Sequence, residues 1–187
     1  IVEESSLLLY SMNRVLDLQR VLVIGYGVIG RAISEVMRRK RCEVVVLDKQ
    51  PKLRQVAQED GLAAVADLNV SDFDRVQLVF GATGSCSFTG EHLAAFLRSA
   101  SDELILISAS SGQAEFGETL STLSSDGRPG LIDDSPVHWE RAQCPYGSRW
   151  TSSYAQRPKG IIALANGYPV NFFRRDSESL PQCVADL

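Results

Sequence analysis

Residues 20–48 read RVLVIGYGVIGRAISEVMRRKRCEVVVLD, and the order of their apolar and glycine positions decides the fold. The apolar run from Val21 to Ile24 predicts a buried parallel strand, which ends in the pattern G-x-G-x-x-G. A helical stretch follows from Arg31 to Lys40, and a second apolar strand from Val44 to Leu47 ends at Asp48. Together these segments predict one βαβ unit with an acidic residue at the end of its second strand.

Each part of this unit has a physical task in binding a dinucleotide. Gly25 allows the tight turn, Gly27 lets a pyrophosphate approach the backbone, and Gly30 lets the helix pack close to the strand. The helix N-terminus offers free N–H groups and a partial positive charge to the phosphates. Asp48 can accept hydrogen bonds from the adenosine ribose. The 2′-phosphate of NADP would meet this carboxylate, which favours NAD over NADP, although Lys49 beside it keeps NADP open.

The composition is that of an ordinary globular protein and excludes several classes. The 187 residues are 44% hydrophobic and 22% charged, which allows one sizeable domain. A net charge of −4 implies no general affinity for nucleic acid, and no apolar stretch approaches the ~20 residues of a membrane span. Scattered cysteines without metal-like spacing predict no metal site and a cytoplasmic location. The chain begins at Ile1, so we expect a processed chain or a fragment of a longer protein.

Further strands and helices alternate along the chain. The pattern predicts helices over 51–60, 89–97 and 114–123 and strands over 62–66, 77–80 and 104–107. This alternation predicts an α/β fold, a Rossmann-type doubly wound parallel sheet with helices on both faces. Three regions are expected, namely a leading helix or linker over 1–18, the NAD-binding domain over 19–173 and a polar C-terminal tail over 174–187.

The end of the predicted domain has a different character. Residues 131–159 are polar and read as irregular. A strand over 160–165 then runs into Asn166-Gly167, which is a strong signal for a hairpin turn. We expect a returning strand over 168–173.

Two loops of small residues follow predicted strands, over 81–85 and 108–112. Ligands of such sheets bind at the carboxyl ends of the strands, so we expect both loops beside the glycine turn. The alternative is that they are merely tight turns. The predicted cofactor contacts in these loops are Ala82, Thr83, Gly84, Ser108, Ala109 and Ser110.

Three segments together resemble the cofactor domain of S-adenosylhomocysteine hydrolase, an NAD-dependent enzyme. They are the glycine turn, the run Ala82-Thr83-Gly84 with Thr89-Gly90-Glu91-His92-Leu93, and the closing segment 161–171. A more distant likeness is to D-2-hydroxyacid dehydrogenases. The resemblance covers residues 15–173 and implies that NAD is the cofactor. By it, Val28 and Ile29 join the three glycines at the pyrophosphate, Thr83 and Gly84 line the cofactor, and Asn171 contacts the nicotinamide carboxamide.

The chain also departs from that family. The family's histidine loop after the fifth strand is replaced here by Ser108-Ala109-Ser110-Ser111, and the family's substrate domain is absent from this sequence. Hydrolysis of adenosylhomocysteine is therefore not expected. No catalytic residue is identified, because the two histidines, His92 and His138, read as structural or surface residues.

Three functions remain in competition. The first is an NAD-dependent oxidoreductase-type enzyme, or its cofactor half, with an unknown small-molecule substrate. Its substrate groups would come from a homo-oligomer partner, a missing substrate domain or residues 131–159. The second is a non-catalytic NAD-binding module with a sensing or assembly role. The third is a nucleophilic enzyme using Cys86, which is disfavoured because the G-x-S-x-G spacing is missing.

Overall fold

A sheet of eight strands organises the structure, a computed structural model that describes residues 1–110, 112–124, 130–132, 135–154 and 157–170. The strands of this sheet are β1 (Arg20–Ile24), β2 (Glu43–Leu47), β3 (Ala63–Val65), β4 (Val76–Gly81), β5 (Glu103–Ser108), β8 (Glu140–Cys144), β9 (Gly147–Tyr154) and β10 (Arg157–Leu164). A separate antiparallel pair consists of β6 (Gly130–Ile132) and β7 (Ser135–Val137). The helices are α1 (Val2–Ser11), α2 (Val28–Arg39), α3 (Pro51–Glu59), α4 (Gly90–Arg98) and α5 (Gly117–Ser124).

The strand order is β3-β2-β1-β4-β5-β10-β9-β8. The first six strands in this order run parallel, whereas β9 and β8 are antiparallel to their neighbours. This arrangement confirms the predicted Rossmann-type α/β fold. The order reverses between β1 and β4, and a crevice for a ligand lies at such a point, at the carboxyl ends of the strands.

Alternate residues of the strands face two separate cores. In β1, Val21 and Val23 face the core beneath α1, α2 and α3, while Leu22 and Ile24 face the core beneath α4 and α5. The second core contains an aromatic group in which Phe88 packs edge-on against Phe73 and Phe116. Both faces of the central strands are therefore buried, as their continuous apolar runs predict.

The region predicted to be irregular, 131–159, contains β8, β9 and the start of β10 instead. The prediction was wrong because β8 and β9 carry polar residues and form the antiparallel end of the sheet. Four residues of β8 are exposed, and β9 alternates between buried Ser148 and Trp150 and exposed Arg149 and Thr151. An edge strand with one solvated face needs few apolar residues.

The predicted returning strand over 168–173 is also wrong for residues 168–170, while 171–173 lie outside the described residues. The edge of β10 is already paired with β9, in the register Leu164 to Gly147. A Cβ on Gly147 would lie 2.1 Å from the Ala163 carbonyl oxygen, so this close pairing requires glycine. The chain forms a 3₁₀ turn at Ala165–Gly167 and then a single parallel bridge between Pro169 and Ser108.

Candidate functional site

The glycine turn between β1 and α2 has the geometry that its pattern predicts. Gly25 has a φ of +94°, and a Cβ there would lie 2.8 Å from the Ala82 carbonyl oxygen. A Cβ on Gly30 would lie 1.8 Å from the Gly25 carbonyl oxygen, so the helix can start this close only with glycine. A Cβ on Gly27 would meet nothing within 4 Å. The backbone at Gly27 therefore faces open space at the N-terminus of α2, where a phosphate can approach.

Asp48, at the end of β2, lies beside this turn and is 8% exposed. Its Oδ2 accepts a hydrogen bond from the Tyr26 N–H at 2.7 Å, and its Oδ1 accepts one from the Gln50 N–H at 2.8 Å. An ionised carboxylate has about four acceptor positions, so acceptor capacity remains for hydroxyl groups of a ligand. Lys49 is exposed, and its carbonyl oxygen accepts a bond from Arg54 at 2.9 Å.

A second polar group anchors the turn from the side of α2 and α3. The Tyr26 hydroxyl donates to Asp60 Oδ2 at 2.8 Å, and Arg31 Nε lies 2.9 Å from the same oxygen. Burial, followed by the hydrogen bond to Asp60, raises the pKa of Tyr26 to about 12. The hydrogen bond from Tyr26 is also the main reason that the pKa of Asp60 is lowered. Tyr26 therefore remains a neutral donor at physiological pH and ties the glycine turn to the end of α3.

The strand-end loops lie at the same edge of the sheet as the glycine turn. The Ala82 N–H donates to the Ile24 carbonyl oxygen at 2.8 Å, and the Ala109 N–H donates to the Gly81 carbonyl oxygen at 2.9 Å. Residues that follow β1, β4 and β5 are thus neighbours, as the rule for carboxyl ends predicts. Thr83 and Gly84 are exposed, whereas Ser108 is fully buried at its strand end.

A buried carboxylate that sequence reasoning missed, Glu115, joins the two loops. Glu115 is 0% exposed, and its Oε1 accepts bonds from the N–H groups of Thr83 and Gly84, each at 2.6 Å. The hydroxyl of Ser110 also donates to Oε1, and the hydroxyl of Thr83 donates to Oε2 at 2.9 Å. A Cβ on Gly81 would lie 2.8 Å from the Cβ of Glu115. Glu115 therefore fixes the conformation of both predicted cofactor loops.

No local pattern identifies Glu115 in the sequence. It lies between β5 and α5, and its partners are 31 and 32 positions earlier in the chain. The available signal was indirect: two neighbouring loops of small residues carry many N–H and hydroxyl donors, and such donors are usually satisfied by a nearby acceptor.

Of the remaining predicted site residues, Val28 and Ile29 lie at the surface, in the first turn of α2. Their side chains are 90% and 46% exposed. Two apolar side chains are thus left uncovered beside the open backbone at Gly27. Asn171 lies outside the described residues.

Groups with catalytic chemistry are engaged in structural contacts. The Nδ1 of His92 accepts a hydrogen bond from the Thr89 N–H at 3.1 Å, and burial lowers the pKa of His92. His92 thus makes a structural contact at the start of α4. Partial burial, followed by a hydrogen bond to Glu118, raises the pKa of the Cys86 thiol, which argues against a nucleophilic cysteine. Within the described part of the chain, no group of three or more metal-ligating side chains is found.

Sequence comparison bears on the glycine turn and Asp48. Residues 21–75 match the TrkA-N domain. This is an NAD(P)-binding Rossmann domain, and the matched segment contains both the turn and the acidic residue. The match confirms the predicted cofactor at the level of NAD(P). It spans less than a third of the chain, and none of the curated proteins matches the sequence.

Several solved structures are similar to parts of the chain. A D-3-phosphoglycerate dehydrogenase from Ralstonia solanacearum has 21% identity and a TM-score of 0.46, over 63% of this chain and 34% of that one. Shikimate 5-dehydrogenase from Thermus thermophilus has 24% identity and a TM-score of 0.43, over 58% of this chain and 39% of that one. The TrkA-N domain of an inner membrane protein from Escherichia coli has 18% identity and a TM-score of 0.39, over 48% and 73%. The chain thus spans little more than a third of these two dehydrogenases.

No helix among the described residues is both long and apolar enough to cross a bilayer.

Proposed function

We propose that this chain binds NAD at the carboxyl edge of its sheet and forms the cofactor-binding part of an oxidoreductase-type enzyme. One observation carries the proposal: the open backbone at Gly27 lies at the N-terminus of α2, while Asp48 lies at the end of the neighbouring strand. The first N–H groups of a helix have no partner within the helix, so they can bind the pyrophosphate.

The residues around the turn fit the rest of the cofactor. Val28 and Ile29 provide an exposed apolar surface, which a bound dinucleotide would cover. Thr83 and Gly84, held by Glu115, form the opposite wall of the crevice. Bound NAD supplies the hydride acceptor, and the chain supplies the positions of its groups. In this proposal Ser108, Ala109 and Ser110 line the nicotinamide side.

The preference for NAD over NADP rests on Asp48. Its carboxylate is held in place by two backbone N–H groups, so it cannot easily turn away from a ligand. A 2′-phosphate on the ribose would bring like charges together in a site that is largely shielded from water. Lys49 can offset this repulsion only in part, because its side chain is exposed and solvated.

The resemblance to S-adenosylhomocysteine hydrolase remains part of the proposal. The glycine turn and the Ala82-Thr83-Gly84 loop support it, since they lie together at one edge of the sheet. The closing segment supports it less, because residues 168–170 do not form the expected strand. Contact between Asn171 and the nicotinamide is likewise a proposal.

A non-catalytic NAD-binding module is the alternative, and the placement of the histidines favours it. His92 caps the start of α4 through Thr89. Exposed His138 lies just before β8, the outermost strand at one end of the sheet. Neither residue is assigned a proton-transfer role in this proposal. Three described cysteines are free thiols, which supports a reducing, cytoplasmic location in either case.

The test is a titration of the full chain with NAD and NADP, followed by tryptophan fluorescence or calorimetry. We expect NAD to bind at least about tenfold more tightly than NADP, and Asp48→Asn to remove most of this difference. Asp102→Asn is the matched control, because it removes the same charge at an exposed site just before β5, at the amino ends of the parallel strands. Equal affinities in the unmodified protein, or an unchanged ratio in Asp48→Asn, would refute the assignment.

Turnover separates the two candidate functions. Reduction of bound NAD by a panel of alcohols and hydroxy acids, followed by the absorbance of the reduced nicotinamide, supports the enzyme. Tight binding of NAD without turnover by any of them supports the non-catalytic module.

A further inference from the structure

A cleft of about 230 Å³ opens beside the second core, away from the glycine turn. One wall is α5, which contributes Ser121 and Ser124, and the other consists of β8 and β9 with Arg141, Ser148 and Trp150. Gly147 at the start of β9 pairs with Leu164 at the end of β10. The inner end of the cleft therefore lies at the carboxyl edge of the sheet, where the cofactor is proposed to bind.

Arg141 is the charged residue among those that line this cleft, and none of the lining residues is acidic. Its guanidinium carbon lies 5.5 Å from the centre of the Trp150 ring, and its Nη2 donates to the Ser148 hydroxyl at 3.1 Å. Ser148 is fully buried and donates in turn to Asn166 Oδ1 at 2.7 Å. The described residues provide no salt bridge to Arg141, although several other arginines of the chain have one.

Contacts along the wall fix the direction of this arginine. Arg141 lies opposite Trp150 in the β8–β9 ladder. Both the strand register and the contact with the Trp150 ring therefore hold the guanidinium over the cleft. Because the ring and Ser148 occupy one face and one edge of the planar group, other N–H donors remain for a ligand. Trp150 Nε1 is buried without a hydrogen-bond partner among the described residues.

The cleft is connected to the proposed cofactor crevice through the loop that precedes α5. Gln113 lines the cleft, and its Nε2 donates to the Asn166 carbonyl oxygen at 2.9 Å. Two positions later, Glu115 binds the backbone of Thr83 and Gly84. One short segment therefore lines the cleft at Gln113 and holds the loop of the proposed cofactor crevice at Glu115.

We propose that this cleft binds the carboxylate group of a small molecule, with Arg141 as its anchor. A planar guanidinium with free parallel N–H groups matches the two oxygens of a carboxylate. The serine hydroxyls of α5 and the amide of Gln113 provide the additional donors that a carboxylate requires. The role of this molecule as the substrate rests on the proposed function, whereas its binding does not.

The test is binding of acetate, pyruvate, oxalate and inorganic phosphate to the full chain without NAD, measured by calorimetry and by chemical shifts of the tryptophan indole N–H groups. We expect pyruvate or oxalate to bind and to shift one indole signal, while neutral pyruvamide does not. Arg141→Gln should weaken this binding by about tenfold or more, as the loss of a charged bidentate pair implies.

Arg149→Gln is the matched control, because Arg149 lies on β9 but on the opposite face, where it pairs with Glu103 at 3.1 Å. It should leave carboxylate binding unchanged. Arg141→Lys keeps the charge without the planar fork and should also weaken binding, which guards against a folding defect in Arg141→Gln. The proposal is overturned if no carboxylate binds, if Arg141→Gln binds as tightly as the unmodified chain, or if phosphate binds more tightly than every carboxylate.

The same titrations with NAD distinguish this inference from the proposed function. Carboxylate binding without any NAD binding would overturn the proposed function and leave the anion site standing. NAD binding without carboxylate binding would overturn the anion site alone.

Discussion

Two buried carboxylates hold the two sides of the proposed cofactor crevice, and each accepts two backbone N–H groups. Asp48 binds those of Tyr26 and Gln50 on the ribose side, and Glu115 binds those of Thr83 and Gly84 on the loop side. Asp48 keeps 8% of its surface exposed, whereas Glu115 is fully buried and also accepts two hydroxyl groups. The same chemistry thus leaves one carboxylate available to a ligand and uses the other entirely to hold the loops.

The largest loss of stability is expected on the ribose side, where the start of α2 packs directly against the backbone of the glycine turn. Gly30→Ala would place a Cβ 1.8 Å from the Gly25 carbonyl oxygen, so the start of the helix must move. We expect a loss of about 3 kcal/mol or more in the free energy of unfolding, enough to prevent stable folding of a marginal domain. Chemical denaturation followed by circular dichroism measures it.

Gly27→Ala is the matched variant, since its Cβ meets nothing within 4 Å. It should fold normally and lose affinity for NAD, because the methyl group enters the space of the pyrophosphate. If both variants were equally stable, close packing at Gly30 would not be what fixes the turn.

On the loop side, Glu115→Ala should cost about 3 kcal/mol, because it removes a fully buried carboxylate that accepts hydrogen bonds from the N–H groups of Thr83 and Gly84 and from two hydroxyl groups. Glu115→Gln keeps one oxygen acceptor and should cost about 1 kcal/mol. Denaturant titration of the two variants, with NAD affinity measured in parallel, gives both effects. Equal stability of Glu115→Ala and the unmodified chain would show that the loops do not depend on this carboxylate.

These two sides also differ in how much of them the sequence predicts. The glycine turn and Asp48 lie within one βαβ unit, where strand, turn and helix follow local rules, so their geometry was predicted correctly. Glu115 acts on residues 31 and 32 positions away, and its burial depends on the packing of α5. Such a contact leaves no spacing pattern in a single sequence.

The antiparallel extension was missed for a related reason. Strand β8 is mostly exposed, and β9 buries only alternate residues, so neither shows the continuous apolar run of a central strand. The turn at Asn166-Gly167 is real, with Asn166 at a φ of +55°, but β9 already occupies the edge that a returning strand would need. Local turn chemistry predicted the bend, and competition for the sheet edge decided what followed it.

A smaller effect is expected from pH on the ribose side, through Tyr26. Its pKa is raised from 10.0 to about 12 in the folded chain, mainly by burial and then by the bond to Asp60. The unfolded chain therefore loses this proton first, so the stability that the group contributes is complete below pH 10 and is lost as the pH rises towards 12. Tyr26→Phe should remove this part of the pH dependence in a comparison of unfolding curves.

Asp60→Asn separates the two causes of the raised Tyr26 pKa, because it removes the charge and the accepting carboxylate but not the burial of Tyr26. The pKa of Tyr26, followed by tyrosinate absorbance, should fall and stay above its ordinary value. On the acid side, the lowered pKa of Asp60 means that its contribution to stability is present above its ordinary range and lost as the pH falls through the folded value. A tyrosinate titration unchanged in Asp60→Asn would show that burial alone sets the pKa.

The smallest effect is expected at Cys86, which lies on the loop side and tests whether that side is reactive or only structural. Its Sγ lies 3.2 Å from a carboxylate oxygen of Glu118, and burial together with this contact raises the thiol pKa. At neutral pH the thiolate is scarce, so alkylation by iodoacetamide should be slower than that of a free cysteine in a peptide. Peptide mass spectrometry in a Cys144→Ser, Cys183→Ser background follows this site separately from the remaining cysteine, Cys42, which is buried. Glu118→Gln should accelerate the reaction a few-fold, because the neutral amide no longer opposes the thiolate.

Cys86→Ser should leave NAD binding unchanged. Rapid alkylation of the unmodified Cys86, with no response to Glu118→Gln, would instead reveal an activated thiol and would return the loop side to the candidates for covalent chemistry.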